Sequence, residues 1–129
     1  MQKNQKGFTI IELLVVIVII GILVALALPN LFSAQARGRD TDRKNELKNL
    51  QTRLETHFND NGSYPSTNTA AMVTALGGAA TDDEYVDPRN NAYTYASTDG
   101  TSYTLTADLE NDDDPDADGS GNYVLNSVN

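Results

Sequence analysis

The segment from Phe8 to Leu28 constrains this chain most: 21 predominantly apolar residues, among which Glu12 is the only charged side chain. At about 1.5 Å per residue, a helix of this length spans about 32 Å, close to the ~30 Å hydrocarbon core of a bilayer. A soluble core helix of this length would carry a polar stripe, and none is present before Pro29. The segment therefore predicts a membrane-spanning helix.

The chain has 129 residues, enough for one small domain beyond this segment, but that domain has few apolar residues for a core. After Pro29 the sequence is polar and rich in Asp, Asn, Thr, Ser and Gly. Because the chain has no cysteine, no disulfide can stabilise the domain. A bound metal ion is the obvious substitute.

A secretory signal peptide is the first alternative for the apolar segment, and it requires small residues at a cleavage site after the apolar run. Ala25 and Ala27 offer such a site, but Pro29 follows at once. The start of the chain is also unusual for a signal peptide, since a polar, basic stretch ends in Gly7 and the apolar run begins abruptly at Phe8.

Residues 6–15, Lys-Gly-Phe-Thr-Ile-Ile-Glu-Leu-Leu-Val, closely resemble the prepilin cleavage and methylation motif of type IV pilins and type II secretion pseudopilins. The resemblance continues with Gly21 and Pro29. In that family a membrane aspartyl protease, the prepilin peptidase, cuts after the glycine that matches Gly7 and N-methylates the new first residue, here Phe8. Gly7 and Phe8 are thus the predicted processing residues.

Four residues are predicted to act in assembly: Phe8, Glu12, Gly21 and Pro29. A carboxylate in hydrocarbon costs several kcal/mol unless it is paired. Glu12 either lies near the lipid headgroups or pairs with the α-amine created at Phe8, and the resemblance implies that this pair joins neighbouring subunits. Gly21 is a close-packing point or a weak position in the helix. Pro29 either kinks the helix or borders a stretch that loses helical hydrogen bonds in a filament.

Large apolar residues then recur at spacings of three, four and four: Leu47, Leu50, Leu54 and Phe58. This predicts an amphipathic helix that packs under a head and ends near Asn61-Gly62, where glycine can take the left-handed cap conformation. The Arg-rich turn at residues 37–44 is expected to stay exposed for neighbouring subunits. With the resemblance, the predicted parts are a leader (residues 1–7), a transmembrane and assembly helix (8–29) and a globular head (30–129).

The head is predicted to contain a short helix at Thr69–Leu76 and then three strands: Tyr93–Tyr95, Tyr103–Leu109 and Tyr123–Leu125. In the second strand, alternation places Tyr103, Leu105, Ala107 and Leu109 on the core face. Asp99-Gly100 indicates a hairpin turn before it. The expected fold class is α+β, a three-stranded antiparallel sheet packed on a long kinked N-terminal helix, which is the pilin-like fold that the resemblance implies.

Asp114, Asp116, Asp118 and Gly119 match the start of a calcium loop, D-x-D-x-D-G. The glutamate that completes an EF-hand loop is replaced by Leu125, so another group, such as Asp112, would have to complete the shell. The resemblance adds that major pseudopilins carry calcium in a C-terminal loop. The alternative is a solvated, flexible acidic loop. Calcium is the one cofactor that the sequence suggests, with Asp112, Asp114, Asp116 and Asp118 as the candidate ligands.

The net charge of −9 is unevenly distributed, with a mildly basic stretch at residues 37–53 and a strongly acidic one at residues 82–118. Overall acidity argues against DNA binding as the main task. His57 is the only histidine, and no nucleophile with an adjacent base is visible, so an enzyme is not expected.

The predicted function is a structural subunit that polymerises into a type IV pilus-like helical filament after cleavage between Gly7 and Phe8. A major pseudopilin of a secretion or competence system is the alternative within this class, and a monomeric membrane-anchored binding module is the alternative outside it. The resemblance implies four partners: other copies of the chain, the prepilin peptidase, an assembly platform with its motor, and the cytoplasmic membrane before assembly. The filament would then lie outside the cell or in the periplasm and serve adhesion, motility, DNA uptake or secretion.

Overall fold

The computed structural model describes residues 7–79 and 82–128, and at Thr67 the backbone alone. Apart from Gly7, the predicted leader lies outside the described residues. The chain divides between Gln35 and Ala36 into two compact units. The elements are helix α1 (Ile10–Asn61), strand β1 (Thr67–Asn68), helix α2 (Thr69–Ala75), a 3₁₀ turn (Asp83–Tyr85), and strands β2 (Thr94–Ser97), β3 (Thr104–Asp108) and β4 (Asn122–Asn126).

In the first unit, α1 is helical without interruption through Gly21 and Pro29. The large apolar side chains between Phe8 and Phe32 are 43–88% exposed. By length and composition, this helix is long and apolar enough to cross a membrane. The loss of helical hydrogen bonds near Pro29, which the resemblance implies for a filament, stays a prediction.

The second unit contains an antiparallel sheet with strand order β1-β2-β3-β4. The three predicted strands are confirmed, and their register places Tyr95 opposite Leu105 and Leu105 opposite Leu125. The sequence did not predict β1, because its two residues pair at the edge of β2 and are too few to show an alternating pattern. The predicted α+β fold class is therefore confirmed, with one short strand added.

The core forms where the predicted leucine stripe of α1 meets the sheet. Leu47, Leu50 and Leu54 are at most 1% exposed, whereas Phe58 is only partly buried and stacks on Tyr64 with ring centroids 4.5 Å apart. The four residues predicted for the core face of the second strand are all buried: Tyr103, Leu105, Ala107 and Leu109. Helix α1 ends at Asn61, and Gly62 has φ +74°, as the predicted glycine cap requires.

Buried tyrosines compensate for the small number of aliphatic residues in this core. Glu55 accepts hydrogen bonds from the hydroxyls of Tyr64 (2.7 Å) and Tyr103 (2.9 Å). The Tyr95 hydroxyl donates to the carbonyl oxygen of Pro65 at 2.6 Å. Each of these three rings thus adds apolar area while its hydroxyl keeps a hydrogen-bond partner, which avoids the cost of burying an unpaired polar group.

The prediction that the Arg-rich turn at residues 37–44 stays exposed is wrong for its central residues. Arg43 is 2% exposed and Asp40 is 1% exposed, whereas Arg37 is exposed. Arg43 lies four residues before Leu47 and therefore on the same face of α1, so it points toward the head. A buried arginine needs acidic partners from the head, and the single-sequence pattern does not show them.

Leu50→Ala should lower the free energy of unfolding of the head by about 2–5 kcal/mol, because it leaves a cavity in a fully packed site. Asn49→Ala, at the exposed neighbouring position, should change it by about 0.5 kcal/mol or less. Denaturant unfolding of the full chain in detergent micelles, followed by near-ultraviolet circular dichroism of the tyrosines, measures both. Equal effects of the two substitutions would contradict the packing described here.

Candidate functional site

The predicted assembly residues begin at the first turn of α1, where Thr9 and Glu12 cap the helix reciprocally. Glu12 Oε2 accepts hydrogen bonds from the Thr9 backbone N–H (2.9 Å) and hydroxyl (2.6 Å), and the Glu12 N–H donates to Thr9 Oγ1 (3.3 Å). This is a capping box, which satisfies N–H groups that the helix itself leaves unpaired. Its signature, Thr-x-x-Glu before an apolar run, is readable at residues 9–12 but was not among the predicted features.

Phe8 lies beside Glu12 in a shallow apolar depression of the first unit, with Ile11, Val15 and Val16 as its other lining residues. Because Gly7 precedes Phe8 in this chain, the Phe8 nitrogen is an amide and carries no positive charge. Pairing between Glu12 and a Phe8 amine therefore requires the cut after Gly7 and stays a prediction. In the uncut chain, the Glu12 carboxylate accepts its hydrogen bonds from Thr9.

Within residues 7–79 and 82–128, Gly21 has no neighbour that requires a glycine. A Cβ atom built at this position meets no atom within 4 Å outside the local helix backbone. Glycine nevertheless costs about 1 kcal/mol relative to alanine inside a helix. If the residue has a packing role, that role involves a molecule outside this chain, which fits the predicted close-packing point between helices.

The second unit contains an ion-pair network centred on the buried Arg43. Its guanidinium lies 2.7 Å from Asp40 Oδ1, 2.7 Å from Asp87 Oδ2 and 2.9 Å from Glu110 Oε1. Asp40 in turn accepts backbone hydrogen bonds from Glu110 (2.9 Å) and Asn111 (3.0 Å). The network thus joins α1 to the segment before β2 and to the residues that follow β3. In the sequence, Asp87 and Glu110 lie at least 44 positions from Arg43.

Glu110 is the carboxylate shared by the three arginines of this network. Arg39 binds it with two hydrogen bonds, Nε to Oε1 at 2.7 Å and a terminal nitrogen to Oε2 at 2.5 Å, and Arg89 lies 2.8 Å from Oε2. The hydrogen bonds from Arg39, with those from Arg43, lower the pKa of Glu110 to about 2. Burial raises the pKa of Asp87, but hydrogen bonds from Asn91 and Arg43 outweigh it and leave that pKa lowered too.

The acidic loop between β3 and β4 is held by Lys44 of α1. The Lys44 ammonium lies 2.5 Å from Asp114 Oδ1 and 2.8 Å from Asp116 Oδ2. Asp118 Oδ1 instead accepts backbone hydrogen bonds from Ser120 (2.8 Å) and Asn122 (2.9 Å). In this loop Gly121, with φ +80°, takes the left-handed conformation.

Three of the four candidate calcium ligands, Asp114, Asp116 and Asp118, are therefore engaged with protein donors. Within residues 7–79 and 82–128, no three His, Cys, Asp or Glu side chains converge as a metal site. The four predicted ligands Asp112, Asp114, Asp116 and Asp118 do not form a ligand shell in this arrangement. Calcium binding stays a prediction. In the structure, the cation that contacts Asp114 and Asp116 is the Lys44 ammonium.

Most cations of the basic stretch, residues 37–53, form ion pairs with acidic residues of the head. Of the six cations in residues 37–53, four form ion pairs with acidic residues of the chain: Arg39, Arg43, Lys44 and Arg53. Arg37 and Lys48 are exposed and form no ion pair within the part of the chain that the structure describes. The cations of the basic stretch therefore serve mostly to form ion pairs with acidic residues of the same chain.

Lowering the pH from about 5 to 2 should destabilise the head, because the folded-state pKa of Glu110, about 2, lies below its ordinary value of 4.5. The stabilisation is present above about pH 4.5 and is lost as the pH falls toward 2. The pKa of Asp87 is also lowered in the folded state, so Asp87 likewise stabilises the head less as the pH falls.

Glu110→Gln should weaken this pH dependence and lower the stability at pH 7, whereas Asp108→Asn, at an exposed carboxylate two residues away, should leave both unchanged. Thermal unfolding between pH 7 and 2 measures these effects. An unaltered pH profile in Glu110→Gln would show that the network does not hold the head together.

A family model described as "Prokaryotic N-terminal methylation motif" matches residues 2–28. The type IV wide pilus major component PilA4 of Thermus thermophilus is 40% identical over 106 residues, which cover 82% of this chain and 75% of the relative. The type II secretion system core protein G of Pseudomonas aeruginosa is 36% identical over 135 aligned residues, 91% of this chain and 94% of the relative. The type IV major pilin PilA of Myxococcus xanthus is 44% identical over 63 residues, 49% of this chain but only 29% of the relative.

Proposed function

Because this chain belongs to the family of type IV pilins and type II secretion pseudopilins, we propose that it is a structural subunit that polymerises into a helical filament through its apolar N-terminal helix. Support comes from relatives named as a wide pilus major component and as a secretion system core protein, both matched over most of their length. The role is structural, and no catalytic step is proposed.

The observation that carries this proposal is the exposure of the apolar side chains of the first unit. Between Phe8 and Phe32 they are 43–88% exposed, and burying one large apolar side chain is worth about 1.5–3 kcal/mol. A membrane covers this surface before assembly, and the helices of other copies cover it in a filament. Such a contact joins unlike surfaces head to tail and does not close on itself, so it produces a fibre.

Glu12 sets the register of this assembly. Cutting after Gly7 converts the Phe8 nitrogen into an amine next to the Glu12 carboxylate, and methylation leaves its charge in place. Inside a packed bundle of apolar helices, a carboxylate without a cation is penalised by several kcal/mol. The stagger that places Glu12 of one subunit at Phe8 of its neighbour avoids that penalty, and other staggers do not.

A pilus is the filament type that we propose first, because the match to the wide pilus component has the higher sequence identity of the two long matches. A pseudopilus is the second candidate, since the core protein G of the secretion system is matched over 94% of its length. In either case the precursor lies in the cytoplasmic membrane, the prepilin peptidase removes residues 1–7, and an assembly platform with its motor extracts the subunit.

The alternative of a monomeric binding module has less support. Its basic surface would be residues 37–53, where four of the six cations form ion pairs with acidic groups of the same chain. An external partner would have to break these ion pairs. That alternative also leaves Glu12 with no role beyond the capping box that it forms with Thr9.

Glu12→Leu should abolish filaments in the sheared surface fraction while the protein remains in the membrane fraction, because the apolar helix is intact but the register-setting charge is gone. Quantitative immunoblotting of both fractions measures the outcome. Wild-type amounts of filament would refute the assembly role of Glu12.

Thr9→Val serves as the matched control, because it removes the side-chain part of the capping box and keeps the Glu12 charge. If Glu12 sets the register, Thr9→Val still forms filaments. If Glu12 acts only as a helix cap, the two variants lose filaments to a similar extent.

A further inference from the structure

The acidic loop between β3 and β4 has a high density of like charges. Five aspartates lie within seven residues: Asp112, Asp113, Asp114, Asp116 and Asp118. Like charges this close repel one another and oppose a compact loop. A divalent metal ion is one way to offset this repulsion, and a side-chain cation from another element is a second way.

Lys44 supplies such a cation from α1. Its ammonium contacts Asp114 Oδ1 at 2.5 Å and Asp116 Oδ2 at 2.8 Å, and it lies 5.7 Å from the centroid of the Tyr123 ring on β4. The Lys44 side chain is 16% exposed and that of Asp114 is 14% exposed. The pair is therefore largely shielded from water, unlike an ordinary surface ion pair, which contributes little.

Two carboxylate oxygens of the loop also accept hydrogen bonds from backbone N–H groups. Asp114 Oδ1 also accepts the backbone N–H of Asp116 at 2.9 Å, and Asp118 Oδ1 accepts two backbone N–H groups of the loop. Gly121 suits this closure, because its φ of +80° lies in the left-handed region that other residues rarely adopt. The donors that contact Asp114, Asp116 and Asp118 are thus the Lys44 ammonium and backbone N–H groups. In the part of the chain that the structure describes, no three-ligand metal group is formed.

We infer that the Lys44 ammonium takes the place of a divalent cation, so that the β3–β4 loop of this chain closes on its own helix and the head folds without calcium. A tethered ammonium offers three donors and one charge, and it neutralises the central carboxylates without capturing an ion from solution. For a calcium ion to bind in the same loop, it would have to displace Lys44 from Asp114 and Asp116. This inference does not depend on the proposed filament.

The stability consequence follows from linkage. A protein that binds an ion only in its folded state gains stability with the ion concentration, whereas a built-in cation makes stability independent of it. The wild-type head should therefore have the same Tm in excess EDTA as in millimolar calcium, the range in which weak extracellular sites bind.

The experiment compares thermal unfolding of the full chain in detergent micelles, with EDTA and with calcium chloride, for the wild type, Lys44→Met and Lys48→Met. Lys44→Met keeps the apolar stem but loses the charge, and Lys48 is an exposed lysine on the same helix. We expect no calcium response in the wild type, a Tm lower by about 4–8 °C in Lys44→Met, and an unchanged Tm in Lys48→Met.

A double-mutant cycle tests whether the loss acts through the loop. With Asp114→Asn and Asp116→Asn already present, Lys44→Met should have little further effect on Tm. A Tm increase with calcium that appears only in Lys44→Met would also support the substitution of the metal by lysine. The inference is overturned if calcium raises the wild-type Tm by several degrees, if calorimetric titration shows calcium binding to the wild type, or if Lys44→Met unfolds at the wild-type temperature.

Discussion

The constraint on which the rest depends is an apolar helix surface that its own unit leaves exposed. The large apolar side chains from Phe8 to Phe32 are 43–88% exposed, so the described residues of the first unit leave them uncovered. Water is therefore an unfavourable environment for this segment, and lipid or other copies of the chain must surround it. Under the proposed assembly, the cost of the single carboxylate in this segment would depend on what the neighbouring subunit places beside it.

In the head, a polar chain without cysteine has to form a stable domain. Three leucines of α1 and a set of buried tyrosines form its core, and carboxylates such as Glu55 receive the tyrosine hydroxyls. Ion pairs then join α1 to the acidic loops, with Arg43 and Lys44 as the two central cations. Buried ion pairs contribute little net stability on average, but removing one partner is costly because it leaves the other charge buried and unpaired.

Features with a local period could be predicted from the sequence. The leucine stripe follows the helical repeat, and Tyr103, Leu105, Ala107 and Leu109 follow the strand repeat, so their burial was predictable. Arg43 and Lys44 were not, because all their acidic partners except Asp40 lie 44–72 positions away and a pattern of charges does not state which acid meets which base. The capping box of Thr9 and Glu12 was readable, since its four-residue signature is local, whereas two-residue β1 depends wholly on its pairing with β2.

The central claim is that the chain is processed at its N-terminus and then assembles through the exposed helix. Intact-mass spectrometry of the protein in sheared surface filaments, beside the protein in the membrane fraction, tests it most directly. The account predicts that filament subunits begin at Phe8 and carry one added methyl group. Filament protein that begins at Met1, or protein in either fraction that was cut after Ala25 or Ala27, would contradict it, because the amine that pairs with Glu12 would then not exist.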